Sequence, residues 1–147
     1  MISIFGIISV VVAIISVAVI VLHNRVLNKR APVDAYFSEL EDLLRGRIEA
    51  LLHAGPPDSE LRRLCSHAVD LELSDMIKAL PDIDRACLDL HIEDEPENIQ
   101  TVQDTIIALN QSIEVYNRFI AGSLPVVLMA RVLALTIEES VEGIWLY

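Results

Sequence analysis

Side chains able to hold a metal, move a proton or attack a carbonyl are few and scattered. The histidines are His23, His53, His67 and His91, and the cysteines are Cys65 and Cys87. Cys65 and His67 stand two residues apart, a spacing that points them in different directions on a helix. No Glu-x-x-His occurs, so the di-iron pattern of helical bundles is missing. No Cys-x-x-Cys occurs either, which removes the thioredoxin-type redox motif and the zinc knuckle. Carboxylates crowd one stretch, Asp82, Asp84, Asp89, Glu93, Asp94, Glu95 and Glu97, against Arg85 alone. That stretch has no glycine and so is no EF-hand loop; it reads as a solvated acidic connection, with weak cation attraction as the alternative. There is no Gly-x-Gly, no phosphate-binding loop and no Gly-x-Ser-x-Gly. Cys65 and Cys87 read as buried free thiols, although their spacing leaves a disulfide open, and nothing calls for an oxidising compartment. The motifs point to no catalytic residue, no cofactor and no metal. A membrane-bound enzyme, or a metal-binding helical protein built on an unrecognised carboxylate and histidine constellation, is the alternative.

The elements that would position any such residue begin with an apolar run. Ile2 to Leu22 is 21 residues without a charge, rich in Ile and Val. At about 1.5 Å per residue a helix of that length covers roughly 30 Å, the hydrocarbon thickness of a bilayer. Its serines, Ser3, Ser9 and Ser16, can return their hydroxyls to the preceding turn. A cleaved signal peptide would carry positive charge before the run and a small-x-small site after it, and neither pattern is present. The run therefore reads as a retained transmembrane anchor bounded by Ile2 and Leu22. Arg25, Lys29 and Arg30 follow as a juxtamembrane basic collar at headgroup level. Pro32 marks a kink or the first turn of a new helix.

Charge divides the chain. Three of its 11 Lys and Arg and none of its 22 Asp and Glu precede residue 32, leaving the remainder at a net −14. Nucleic acid is thereby excluded as a partner, since phosphate recognition needs a basic face. Beyond the collar, Val33, Phe37, Leu40, Leu44, Ile48 and Leu51 share one helix face, with Glu41 and Arg45 spaced as a surface ion pair. Ala54-Gly55-Pro56-Pro57 stops that helix. A second helix starts at Pro57, with Asp58 or Ser59 as cap, buries Leu61, Leu64, Ala68 and Leu71, continues loosely through Met76, Ile77 and Leu80, and closes at Pro81. Residues 82 to 97 follow as an irregular acidic connection holding one helical turn, with Ile83, Leu88, Leu90 and Ile92 covering an end of the core. Ile99, Val102, Ile106, Leu109, Ile113, Tyr116 and Ile120 then step by three and four, a heptad seam ended by Gly122. On it Tyr116 needs a hydroxyl partner and Asn117 can fix register, a structural reading set above a ligand-contacting pair. Pro125 opens a fourth segment, Val126 to Ile137, apolar on nearly every side apart from Arg131. It is too short to span a bilayer. The tail to Tyr147, with Ile144, Trp145 and Leu146, is expected to dock on the bundle.

These residues resemble the LemA family of membrane-anchored helical proteins. Val33-Asp34-Ala35-Tyr36-Phe37-Ser38-Glu39-Leu40-Glu41-Asp42-Leu43-Leu44-Arg45-Gly46-Arg47 follows the family's Val-Asp-x-Ala-Trp-x-x-Ile-Asp-x-x-Leu-x-x-Arg without a gap. Phe37 replaces the Trp, Leu40 the Ile and Glu41 the Asp. Tyr116-Asn117, Leu124-Pro125, Leu128, Ala130 and Ala134-Leu135 stand near the family's C-terminal positions. Departures are the missing Pro at Leu51-Leu52-His53-Ala54, about one extra residue before Pro125, the missing closing Gly-Phe and a shortened middle. The resemblance implies a bundle on a membrane anchor, and no enzyme activity.

The fold class that follows is all-α: an N-terminal transmembrane helix, then an antiparallel up-and-down helical bundle. Its organisation is an anchor over 1–23, a basic linker over 24–32, a LemA-like bundle over 33–140 and a tail over 141–147. Its function reads as a single-pass interaction or scaffold module, and the resemblance implies that the membrane is a bacterial inner membrane. The partners are the bilayer through residues 2–22, and a protein or a second copy of the chain touched by Arg131 and Trp145. Phe37, Leu40, Tyr116, Asn117 and Pro125 make up the core motif. Orientation follows the positive flank. Arg25, Lys29 and Arg30 stand against Met1 alone on the other side, which puts the helical domain in the cytoplasm.

Overall fold

The computed structural model describes residues 3–93, 96–135 and 138, with no side-chain detail at 96 and 97. Among these residues every regular element is an α-helix. The helices are α1 (Ile4–Ala54), α2 (Glu60–Ala68), α3 (Leu73–Asp89), α4 (Pro96–Ile120) and α5 (Leu124–Val132). Ile2 and the tail 141–147 with Trp145 lie outside the described residues, as do Thr136 and Ile137 of the predicted fourth segment.

α1 differs from its sequence reading at Pro32, which starts no new segment: the helix runs through it for 51 residues. Proline removes one N–H, the one that would reach the carbonyl of residue 28. Both Pro32 and Asn28 are exposed, so water can take the freed carbonyl and the helix persists. The predicted linker 24–32 is accordingly helical. At the other end Ser3 caps the first turn, its Oγ accepting from the Gly6 N–H at 3.2 Å. Ser9 and Ser16 donate to Phe5 and Val12 carbonyls at 2.8 Å, which keeps their hydroxyls satisfied in an apolar stretch.

The described residues group into two compact units, one drawn from Met1–Asp34 and Gln111–Ser140, the other from Ala35–Asn110. In the first unit Val26, Val33, Ile113, Tyr116, Ile120, Val126, Met129 and Ala130 are buried. Val26 was not anticipated as core.

In the second unit the predicted α1 face is buried at Leu40, Leu44, Ile48 and Leu51, with Phe37 half-buried. The expected single helix over 57–80 is instead two. α2 begins at Glu60, past the expected start at Pro57, and of the two candidate caps Ser59 serves, its Oγ accepting from the Arg62 N–H at 3.2 Å. It ends at Ala68, and the chain turns before α3. Arg45 holds this break, donating to the carbonyls of Val69 at 3.1 Å and Leu71 at 3.2 Å while it pairs with Glu41 at 2.8 Å. The guanidinium thus satisfies carbonyls that a helix end leaves without partners.

Pro81 does not close the second segment. It lies inside α3, exposed, on a helix that carries the supposed connection on to Asp89. Ile83 is buried as expected, but Leu88 and Leu90 are exposed and cover no core. The stop comes at His91, which takes a left-handed φ of 54°. Its N–H reaches the Leu88 carbonyl at 3.1 Å, and the Ile92 N–H reaches Cys87 at 2.9 Å. α5 ends in the same way at Ala134 (φ 55°), with Ala134 on Arg131 and Leu135 on Ala130. Both are Schellman closures built without the usual glycine. The second explains why α5 stops at Val132, short of the predicted segment's end. On α4 the seam is buried at Val102, Ile106, Leu109, Ile113, Tyr116 and Ile120.

Candidate membrane-proximal site

From Ile4 to Val21 the side chains of α1 are exposed apart from a half-buried Gly6, and those between them are almost all Ile, Val and Ala. Mean hydropathy there reaches 3.1 over 18 residues, and none of that window is buried. One N-terminal helix is therefore long and apolar enough to span a membrane. Leu22 and His23, at its lower edge, are half-buried.

The basic collar does more than face solvent. Arg30 is its hub. Its Nε donates to Asp34 at 2.8 Å and its Nη1 to Glu138 at 2.5 Å. The guanidinium lies over the Tyr116 ring, 5.2 Å from the centroid, within the range of a cation–π contact. Burial alone would lower the arginine's pKa. Hydrogen bonds to Glu138 and Tyr116 and the charges of Glu138 and Asp34 outweigh it and hold the group above the ordinary arginine range. Lys29 sits 6.0 Å from the Phe119 ring centroid, at the edge of that interaction's reach. Arg25 is exposed.

Tyr116 and Asn117 act together on this hub. Tyr116 is fully buried and supplies the ring under Arg30. Asn117 clamps the backbone of Glu138: its Nδ2 donates to the Glu138 carbonyl at 2.8 Å, and its Oδ1 accepts from the Glu138 N–H at 2.9 Å. The amide pairs with residue 138 as a neighbouring strand would, which aims the Glu138 carboxylate at Arg30. Register fixing by Asn117 was the expectation, but its target, a residue 21 positions on, was not visible in the spacing.

Pro125 occupies the first turn of α5, where its missing N–H costs nothing. Arg131 is exposed in the last turn of the same helix.

The second unit holds what the sequence missed. Arg47 and Asp84 form a buried ion pair, Nη2 to Oδ1 at 2.5 Å, with side chains only 6% and 7% exposed. Asp84 had been assigned to a solvated stretch. Its register with Met76, Leu80, Ile83 and Cys87 is the signal that places it on the α3 core face. Arg47 falls on the strict four-three continuation of Val33, Phe37, Leu40 and Leu44. Cys65 and Cys87 are free and buried, so no disulfide joins them. Burial pushes the Cys65 thiol up to about 11, the neighbouring Cys87 adds to the shift and Arg47 opposes it. A thiol protonated to that degree is a poor nucleophile and a poor metal ligand. Among the described residues no three of His, Cys, Asp and Glu gather closely enough to hold a metal ion. Asp82 lies 3.9 Å from Arg85. A surface groove of about 490 Å³ runs between α2 and α3, bordered by Glu60, Arg63, Leu64, Asp82, Arg85 and Leu90. Its opposed charges and shallow apolar floor present no nucleophile–base pair.

No protein-family model, no curated protein and no solved structure matches this chain.

Proposed function

We propose that this chain is a single-pass membrane protein that displays an antiparallel, up-and-down, LemA-like helical bundle as a non-catalytic interaction module. The observation that carries the reading is the exposed apolar surface of α1 from Ile4 to Val21, continued without a break into residues whose inner face is buried. Burying such a surface in lipid satisfies the hydrophobic effect, and the helix satisfies its own backbone. The resemblance at Val33–Arg47 and Tyr116-Asn117 adds support. The acidic remainder, at net −14 beyond residue 31, suits protein partners carrying basic surfaces or a second copy bridged by cations.

Orientation follows the positive flank, which keeps Arg25, Lys29 and Arg30 on the cytoplasmic side of a bacterial inner membrane. Membrane fractions washed with alkaline carbonate test the anchor, which should stay with the lipid. Alkaline phosphatase and a fluorescent protein, each fused after Tyr147, test the side. A dark phosphatase and a bright fluorescent fusion are expected; the reverse pattern overturns the orientation. Recovery of a stoichiometric metal ion with the purified full-length protein would overturn the non-catalytic reading.

A further inference from the structure

α5 leaves one face covered and the other bare. At about 100° per residue, Val126, Met129 and Ala130 lie on one side, and all three are buried. Leu124, Leu128 and Val132 lie on the other, at 71%, 51% and 80% exposure, with Arg131 beside them. Steps of four make these three a continuous apolar strip.

Three features of the first unit say what meets that strip. The contacts between α1 and α4 run in opposite order: Lys29 meets Phe119 while Arg30 meets Tyr116. Buried Val26 and Val33 flank them on α1, as Ile120 and Ile113 do on α4. The C-terminal end of α4 therefore approaches the Val26 side, only about 6 Å of helix rise beyond Leu22. That is the depth of the headgroup layer when α1 spans the bilayer. Next, α5 is bent by 108° from α4 across the Ala121–Gly122–Ser123 turn. A helix turned so far from α4, itself antiparallel to α1, runs nearly across the axis of the span. Last, acid is absent from these parts alone. Residues 1–33 and 115–135 hold five Lys and Arg and no Asp or Glu, whereas all 22 acids lie in 34–114 and 138–147. α5 is the only described helix with no acidic residue.

From this placement we infer that α5 is an interfacial helix: it lies along the lipid surface beside the anchor, with Leu124, Leu128 and Val132 seated among the upper acyl chains and Arg131 among the phosphates. The inference rests on the anchoring reading above. Helices of this kind bury the apolar face about 5–10 Å into the headgroup boundary and carry basic residues on the rim. A protein partner of opposite charge to the acidic remainder would have no reason to select the one helix that lacks acid.

The test uses the full-length chain in vesicles of phosphatidylcholine and phosphatidylglycerol. Trp145→Phe removes its single tryptophan. Leu124→Trp and Leu128→Trp then place reporters at exposed positions, separately, and Val12→Trp places one in the span. Nitroxide-labelled lipids quench from the headgroup level or from the chain ends. The expected result is quenching of Val12→Trp mainly by the deep label, and of both α5 reporters mainly by the shallow one. If Val12→Trp is quenched while both α5 reporters escape lipid quenching and stay open to aqueous iodide, the inference fails and the anchor stands. Blue-shifted α5 reporters shielded from iodide but untouched by either lipid label would mean a protein occupant, and would equally overturn it. An unquenched Val12→Trp removes the anchor, and the inference with it.

Discussion

Asp84→Ala is the most demanding test of the second unit's core. The substitution deletes a carboxylate 2.5 Å from Arg47 and leaves a guanidinium in a site where its side chain is 6% exposed. At an effective dielectric near 20 and a charge separation of about 4 Å, the lost attraction is roughly 4 kcal/mol. Removing one member of a buried pair generally costs about 3–5 kcal/mol, in agreement with that figure. Against a total stability of about 5–15 kcal/mol, the loss is a large fraction of what holds a small domain folded. Arg47→Met with Asp84→Leu removes both charges and keeps side-chain volume, so the double variant should return to within about 1–2 kcal/mol of the parent. Urea denaturation of the full-length protein in detergent micelles, followed by far-ultraviolet circular dichroism, measures all three. A single substitution costing under about 1 kcal/mol would show that the pair is solvated in the working protein. A double variant no better than Asp84→Ala would show that packing, not the stranded charge, sets the cost.

Other perturbations separate core from surface in the same assay. Ile106→Ala, on the buried α4 seam, should cost about 2–5 kcal/mol, whereas Asp104→Ala, exposed on the same helix, should stay within about 0.5 kcal/mol. Gly46→Ala should stabilise by about 0.5–1 kcal/mol, because the glycine is inside α1 and a methyl there meets no atom within 4 Å. The Cys65 thiol, raised from 9.0 to about 11, keeps its proton in the folded state where the unfolded chain loses it. Its contribution is complete below pH 9 and disappears as pH rises towards 11, so stability should fall over that window by an amount on the order of 1–3 kcal/mol, and Cys65→Ala should flatten the fall. In the folded protein below pH 8, a thiol reagent that labels cysteine rapidly would contradict the burial of both cysteines.

Periodicity carried most of what could be read in advance. The α1 face from Val33 to Leu51 and the α4 seam from Val102 to Ile120 are where the three-four spacing put them, because burial selects apolar side chains at that period. Capping chemistry was legible too, at Ser59. Proline misled at positions 32 and 81. Both prolines are exposed, on the outer side of their helices, and Asn28, whose carbonyl Pro32 frees, is exposed as well, so neither position forces a stop. The α2–α3 break was hidden because its stabiliser, Arg45, is contributed by a helix more than 20 residues earlier. For Asp84 and Arg47 the spacing marks a core-facing position, but what makes a buried charge tolerable there is its partner, and the partner is remote in sequence. Within the membrane-proximal site, Tyr116, Asn117 and the basic collar were each singled out. Glu138, which Arg30 and Asn117 both reach, has no local pattern that marks it.

The unbroken path of α1 through Pro32 has a mechanical corollary. Asp34, where the first unit leaves α1, stands 12 residues past Leu22 on one helix, about 18 Å at standard rise. Spans answer a thicker or thinner bilayer by changing tilt. With the apolar stretch seated in lipid, a tilt of about 10° swings Asp34 sideways by roughly 3 Å, as a lever amplifies motion at its pivot. A flexible tether would absorb that motion within a few residues. The continuous helix would instead carry the tilt to Asp34, so for an α1 that spans a bilayer the surrounding lipid composition would be a mechanical input to the Arg30–Asp34 contact.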